Sequence, residues 1–471
     1  MTKKTKIVAT VSDLNCDPGF LKELHQKGMD VVRLNTAHQT HGQTRQVIDN
    51  VKSVSDRIGI LLDTKGPEVR TTTCDSPIPV TKGQRIDVTG SQDAVCTEDR
   101  IVLSHTGFCS DVDVGDEILI DDGDIRMTVQ ENNEDHLTCI VQDDGVIKNK
   151  KSVNVPGAEL SLPALSEKDK DYIEFAVNNG VDFIAHSFVR SKEDVLAVQQ
   201  ILDKHGSSIK IIAKIENQQG VDNIDEILDH AYGIMVARGD LGVEIEAAKI
   251  PGIQKYLVEK CLERRRPVIT ATQMMHSMID HPRPTRAEVS DVANAIYDGS
   301  DAIMLSGETA YGKYPVEAVT AMSGIARQVE NQIEPINEIS SHKINNEISA
   351  YLAKAAIRAT LKLPVKAIVI DTMSGRTARY LAAYRGRKIV YAQCYDEKVM
   401  RQLSLSYGVI ASPIERTNNV NGFLRQAIPS LVDKGCFDSK DLIVVLAGSF
   451  GVNHGASFIE VSIAENMTSR T

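Results

Sequence analysis

At 6–11 (KIVATV), 30–35 (DVVRLN), 58–64 (IGILLDT), 181–188 (VDFIAHSF), 210–216 (KIIAKIE), 232–238 (YGIMVAR), 267–273 (PVITATQ) and 301–307 (DAIMLSG), a short apolar run ends in polar residues. Each has the length and continuity of a strand buried on both faces. Most are separated by segments of helical periodicity, such as GFLKELHQKG, EDVLAVQQILDKHG and IPGIQKYLVEKCLERR, which is the alternation of a parallel sheet. Eight such units predict a closed (β/α)₈ barrel of the TIM type, whose chemistry gathers at the C-terminal ends of the strands. Those ends carry Arg33 and Asn35, Asp63, Ser187, Lys214 and Glu216, Arg238 and Asp240, Thr272, and then Ser306 and Glu308.

The rhythm breaks between the third and fourth runs. There QRIDVTG, RIVLSH, DEILIDDGDIRMTVQ and HLTCIVQDDGVI are short, often alternating segments punctuated by Gly, Asp and Asn, predicting a small β-barrel domain inserted in a barrel loop as a lid. Beyond about residue 340 a second α/β alternation starts, from AYLAKAAIRATLK and VKAIVID through DLIVVLAG, with SFIEVSIAE as an antiparallel edge. The expected division is 1–66 and 165–338 for the barrel, 67–164 for the lid, and 339–471 for a C-terminal open α/β domain.

Composition adds limits. The 471 residues suffice for about three domains, and a formal charge of −11, from 53 basic and 64 acidic residues, argues against a general nucleic-acid or anionic-membrane surface. An anionic substrate must therefore be met by a local basic pocket. The eight cysteines lack the paired spacings of a zinc or redox motif. With a basic N-terminus that runs directly into Ser and Asp, and no apolar stretch of spanning length, they point to a cytoplasmic chain with reduced thiols.

In KIIAKIEN, Lys214 and Glu216 are two apart on a strand and share one face at its C-terminal end. They are either a buried ion pair or parts of one pocket, and desolvation makes a purely structural pair a poor investment. Asp240, in VARGDLG, brings a second carboxylate from the next strand end, and two such carboxylates suit a hard divalent cation. Lys214 is then free to neutralise a transferring phosphoryl group or a developing enolate. In DTMSGRTARYLAAY, Thr372, Ser374, Gly375, Arg376 and Thr377 lie between a strand and a helix start, as either an ordinary cap or a phosphate site.

These stretches, with LLDTKGPEVRT, LPALSEKD, PVITATQMMHSMI and RPTRAEVSDVANAIYDGSDAIMLSGETAYGKYP, resemble pyruvate kinases along essentially the whole chain. The resemblance implies a phosphotransferase that moves the phosphoryl group of phosphoenolpyruvate to ADP, giving pyruvate and ATP in the last step of glycolysis. It implies Glu216 and Asp240 as ligands of Mg²⁺ or Mn²⁺, with Lys214 and Arg33 on the transferring group. Ala237, Arg238, Gly239, Asp240 and Thr272 fall on the substrate side, and Thr272, Ser306 and Glu308 in the proton-transfer network. Asn35, Asp63 and the Thr64 carbonyl match a K⁺ site, while Asn35, Arg70 and Lys168 match the nucleotide side. A homotetramer and a phosphorylated allosteric effector at 372–377 are also implied, the Gly-rich stretch AGSFGVNHGAS supplying the other half of that effector site.

Two segments depart from the family pattern. RLNTAHQ stands where the family usually reads RLNFSHG, so Ala37 replaces a serine of the K⁺ shell; Glu68, in contrast, matches the K⁺-requiring members. TVSDLN replaces a TIGP run beside the nucleotide, placing Ser12 and Asp13 there. Two other readings account for fewer of these residues: a weakened sensor that binds substrate and effector but turns over poorly, and a metal-dependent aldolase. Survival of Lys214, Glu216, Asp240 and Thr272 argues against the first, and the inserted lid with Arg70 and Lys168 against the second.

Overall fold

The computed structural model describes residues 2–37, 39–336, 339, 347–417, 419–448 and 455–468. Among them, eight parallel strands close a barrel: Lys6–Thr10, Val31–Asn35, Gly59–Asp63, Phe183–His186, Lys210–Ile215, Gly233–Ala237, Val268–Ala271 and Ala302–Leu305. Every apolar run singled out above supplies one of them. Alternation divides the apolar side chains into two sets. Val8, Val31, Leu61, Phe183, Ile212, Met235 and Ile269 fill the barrel interior, whereas Ile7, Val32, Ile60, Ile184, Ile211 and Ile234 face the surrounding helices.

The insertion between the third and fourth barrel strands forms a seven-stranded sheet and a two-stranded ribbon around its own core. The two outer strands of the sheet, Val69–Arg70 and Arg100–Leu103, come together at a Thr71–Leu103 bridge, with Thr72 N donating to Val102 O at 2.9 Å and Ser104 N to Arg70 O at 2.8 Å. The sheet thereby closes on itself as a small barrel. Three of the insertion's short strands, Val69–Arg70, Ile78–Val80 and Ser152–Asn154, carry no readable period, and the sequence patterns missed them.

Both crossings into this insertion converge on one carboxylate. Asp169, 1% exposed, accepts from Lys65 N at 3.0 Å and Gly66 N at 3.3 Å, where the chain leaves the barrel, and from Ser166 N at 3.1 Å, where it returns. Gly66 has φ +74°, and a Cβ there would lie 2.8 Å from the Ser187 side chain, so this exit admits only glycine without rearrangement.

The C-terminal region is a five-stranded sheet, parallel except for the edge strand Phe458–Ile463, which runs antiparallel to Leu442–Ala447 as expected. The helix Glu397–Gln402 runs into a 3₁₀ turn, Leu403–Leu405, that sends Leu405 into the barrel floor. Ion pairs tie the two regions. Arg385 donates to both oxygens of Asp301, at 3.1 and 2.7 Å, and to Gly299 O, while Arg401 pairs with Asp182 at 2.8 Å. No helix among the described residues is long and apolar enough to cross a membrane.

Candidate active site

Lys214 is the centre of the polar cluster at the C-terminal mouth of the barrel. Its ammonium lies 2.9 Å from Glu216 Oε1 and 3.2 Å from Asp63 Oδ1, and it donates to Ser187 Oγ at 2.7 Å. Burial alone would push its pKa down, but Asp63, Glu216 and Asp240 outweigh that and hold the lysine firmly protonated. Arg33 reaches the other oxygen of Asp63 at 2.6 Å and donates to Thr10 Oγ1 at 3.0 Å. Burial would likewise raise Asp63, yet Lys214 and Arg33 keep its carboxyl below the ordinary range.

Glu216, just past its strand, accepts from Phe188 N at 2.6 Å. Burial, reinforced by Asp240, pushes it up to about 7 despite Lys214. Two cations face three carboxylates in this cluster, leaving one negative charge in excess. That imbalance and the raised Glu216 suit a bound cation, which would reverse both. Among the described residues no group of three His, Cys, Asp or Glu side chains is gathered as a metal cage. Glu216 and Asp240 would offer a divalent ion two carboxylates, few enough to suit Mg²⁺, which commonly keeps several waters.

Thr272 sits at φ +65°, a costly conformation for a β-branched residue. The strain aims its hydroxyl across to the neighbouring loop, where Oγ1 accepts from Gly239 N at 2.7 Å and donates to Ala271 O at 2.7 Å. A Cβ on residue 239 would stand 3.3 Å from that oxygen, which is why a glycine allows the approach. The Arg238 side chain is turned away: both its terminal nitrogens are held by Asp291, at 2.6 and 2.7 Å, and it donates to Thr272 O at 2.9 Å. It thus braces the Thr272 backbone. Glu308 likewise acts between loops, accepting from Ser306 N at 2.7 Å and Met275 N at 3.1 Å.

The K⁺ expectation finds an all-oxygen set. Asn35 stands opposite Asp63 in the strand register, and Ser187 Oγ links the Asp63 carboxylate, at 3.3 Å, to Thr64 O, at 2.7 Å. Asn35 Oδ1 accepts from Ala37 N at 3.1 Å, and Ala37 itself adds no side-chain oxygen. These donors fit a monovalent cation with one shell position left to water.

On the nucleotide side the expected residues are less concentrated. Arg70 is occupied by Glu68 at 2.7 Å and Lys150 O at 2.6 Å within the lid. Lys168 donates to Ala37 O at 3.3 Å, across the lid hinge. Asp13 accepts from Gln43 at 2.6 Å, and Ser12 donates to Ala310 O at 2.6 Å, so the departing segment is locally satisfied. At 372–377, Gly375 takes φ +73° before the helix Arg376–Ala383, and its N–H donates to Thr372 Oγ1 at 2.9 Å. Ser374 is exposed while Thr377 is buried; of the Gly-rich stretch expected to complete this region, 449–454 lie outside the described residues.

Sequence reasoning left out of the site Ser187, which bridges Lys214 and Thr64 O, and Phe188, whose N–H holds Glu216 at φ +55°. The serine was visible at a strand end. The main-chain donor had no sequence signal.

Comparison with known proteins gives one answer. Residues 2–319 match the family model for the pyruvate kinase barrel domain and residues 351–462 that for the pyruvate kinase alpha/beta domain. A pyruvate kinase of Borreliella burgdorferi is 46% identical over 471 residues, covering 99% of this chain and 98% of that protein. One from Geobacillus stearothermophilus is 43% identical over 458 residues, covering 95% of this chain and 78% of its own. The crystal structure of a pyruvate kinase from Cryptosporidium parvum superposes with a TM-score of 0.92 at 34% identity, covering 98% of this chain and 96% of the other.

Proposed function

This chain belongs to the pyruvate kinase family, and on that premise we propose how its own residues divide the work. It is a phosphotransferase that converts phosphoenolpyruvate and ADP to pyruvate and ATP. The P–O bond to the enol oxygen breaks, a P–O bond to the terminal phosphate of ADP forms, and the enolate carbon left behind takes up a proton.

The observation that carries the assignment of roles is the locked ammonium of Lys214 among Asp63, Glu216 and Asp240. A fixed positive charge in a buried pocket acts where negative charge develops, here on the phosphoryl group in flight and on the enolate oxygen. Arg33, aimed by Asp63, adds a second cation on the phosphoryl side. Mg²⁺ and K⁺ are general cofactors of the family. Glu216 and Asp240 would hold the divalent ion, which would supply charge neutralisation to the substrate oxygens. Gly239 N–H and the Thr272 hydroxyl, paired at 2.7 Å, form the polar edge that receives the substrate carboxylate. Thr272 also stands between the enolate carbon and water, with Ser306 and Glu308 fixing the adjoining loops. Asn35, Asp63 and Thr64 hold K⁺, and Asn35, Arg70 and Lys168 serve the nucleotide. The effector turn, 372–377, and a homotetramer complete the proposal.

The direct test is steady-state pyruvate formation from phosphoenolpyruvate and ADP, with Mg²⁺ or Mn²⁺, across a K⁺ titration. Metal-dependent turnover is expected; folded protein that binds phosphoenolpyruvate yet gives no pyruvate under any of these conditions overturns the account. In the same assay Ala37→Ser should lower the K⁺ concentration for half-activation several-fold, because a hydroxyl replaces a shell water. An unchanged titration curve removes Ala37 from the cation site.

A further inference from the structure

A second polar cluster lies at the opposite end of the barrel, where the strand N-termini meet the C-terminal sheet. A small cavity there, open on one side, is walled by Arg265, Arg266, Arg379, Arg385, Ser406 and Asp301 among others. Four arginines thus face one aspartate, and that aspartate is already engaged by Arg385 at 2.7 Å. Two wall atoms are buried without hydrogen-bond partners among the described residues: Ser406 Oγ, on a residue 1% exposed, and Arg265 Nε, on one 5% exposed. A buried donor left unmatched is costly, and two in one cavity wall call for a common acceptor.

The mouth is also over-supplied with positive charge. Tyr232, just before the sixth barrel strand, has Arg379 over its ring at 4.9 Å and Lys210 at 6.0 Å. Among the described residues neither Lys210 nor Arg266 is held in a side-chain ion pair or hydrogen bond. Burial and then mutual repulsion with Arg379 disfavour the charged forms of both. Asp229 favours the charged form of Arg266 and is shared with Arg264, 3.7 Å away. Other cations at the seam are matched, Arg385 by Asp301 in the cavity wall and Arg401 by Asp182. The excess is local.

The geometry points to an anion site at this seam, in which Ser406 and Arg265 receive one oxygen of a phosphoryl group while Arg266, Arg379 and Lys210 surround the others. The cavity has room for about one water-sized group, which fits a single inserted oxygen with the remainder of a tetrahedral oxyanion at the mouth. The ligand class is inorganic phosphate or a small phosphomonoester. This site is separate from the turn at 372–377, although Arg379 links them by donating to Ser374 O at 3.2 Å. Occupancy would bridge barrel and C-terminal sheet through groups that now repel one another.

The test is thermal unfolding of the full-length protein in increasing inorganic phosphate, with ionic strength held constant by chloride, for the native chain, Arg266→Gln, Ser406→Ala and Ser374→Ala. The midpoint of the native chain should rise with phosphate, because a ligand bound only by the folded state stabilises it. Arg266→Gln should start at an equal or higher midpoint, with normal basal turnover, and lose most of that rise. Ser406→Ala should need several-fold more phosphate, and Ser374→Ala, which alters only the turn at 372–377, should keep the part of the rise that Arg266→Gln loses. An equal rise in Arg266→Gln and the native chain overturns the site. A second measurement needs no variant: anomalous diffraction from native crystals soaked in selenate should show a peak between Ser406 and Arg266, and peaks confined to other places overturn it. Repeating the titration with glycerol phosphate separates the sources. A response at lower concentration than with phosphate identifies an organic phosphate, and the reverse identifies the free ion.

Discussion

Lys214→Met should lower kcat by about 10³-fold or more while the KM for phosphoenolpyruvate changes far less. The substitution keeps the length and apolar stem of the lysine but removes a charge that three carboxylates hold in place. Because that charge acts on oxygens that become more negative as the reaction proceeds, its loss falls on the transition state more than on the bound substrate. Mn²⁺ binding, followed by calorimetry in the absence of substrate, should remain measurable and tighten, since Glu216 and Asp63 lose their competing cation. Turnover within tenfold of the native enzyme would remove Lys214 from the chemistry. Lost Mn²⁺ binding would instead mean that the lysine organises the carboxylates.

The largest effect on stability should come from the seam. Arg385→Met is expected to destabilise the protein by about 3–5 kcal/mol, because it leaves Asp301 buried with its charge unpaired. Asp301 would keep the N–H groups of Val268 and Tyr407, at 3.2 and 3.0 Å, but not the guanidinium that neutralises it. Gly299 O would lose its donor as well. Chemical denaturation read by far-ultraviolet circular dichroism measures the change, and a difference below about 1 kcal/mol would mean that the pair merely balances its own desolvation. Pairing Arg385→Met with Asp301→Leu should recover much of the loss, since an apolar pair of similar volume leaves no buried charge behind.

The eight barrel strands were legible because each is buried on both faces and therefore spelled by an uninterrupted apolar run. The same simplicity made Lys214 and Glu216 conspicuous, as charges within such a run. Motif resemblance then named candidate site residues whose individual roles no spacing rule could supply. What stayed hidden was either too short to show a period, as with Ser152–Asn154, or depended on distant partners. Arg238 looked available to substrate until its partner 53 residues away, Asp291, was in view. Phe188 contributes through its main chain at φ +55°, which its phenylalanine side chain does not advertise. The excess of cations at the seam escaped notice because Lys210, Arg266 and Arg379 come from a strand, a loop and a helix far apart in the chain.

The single carboxylate at which the lid leaves and rejoins the barrel has a consequence for the history of the chain. Since Lys65, Gly66 and Ser166 all hydrogen-bond to Asp169, the two cut points are neighbours in space, and the barrel closes identically whatever lies between them. An ancestral loop at this position could therefore lengthen into a folded domain without asking the barrel to change its strand register. The lid is in this sense a cartridge whose two ends are pinned to one residue of the barrel.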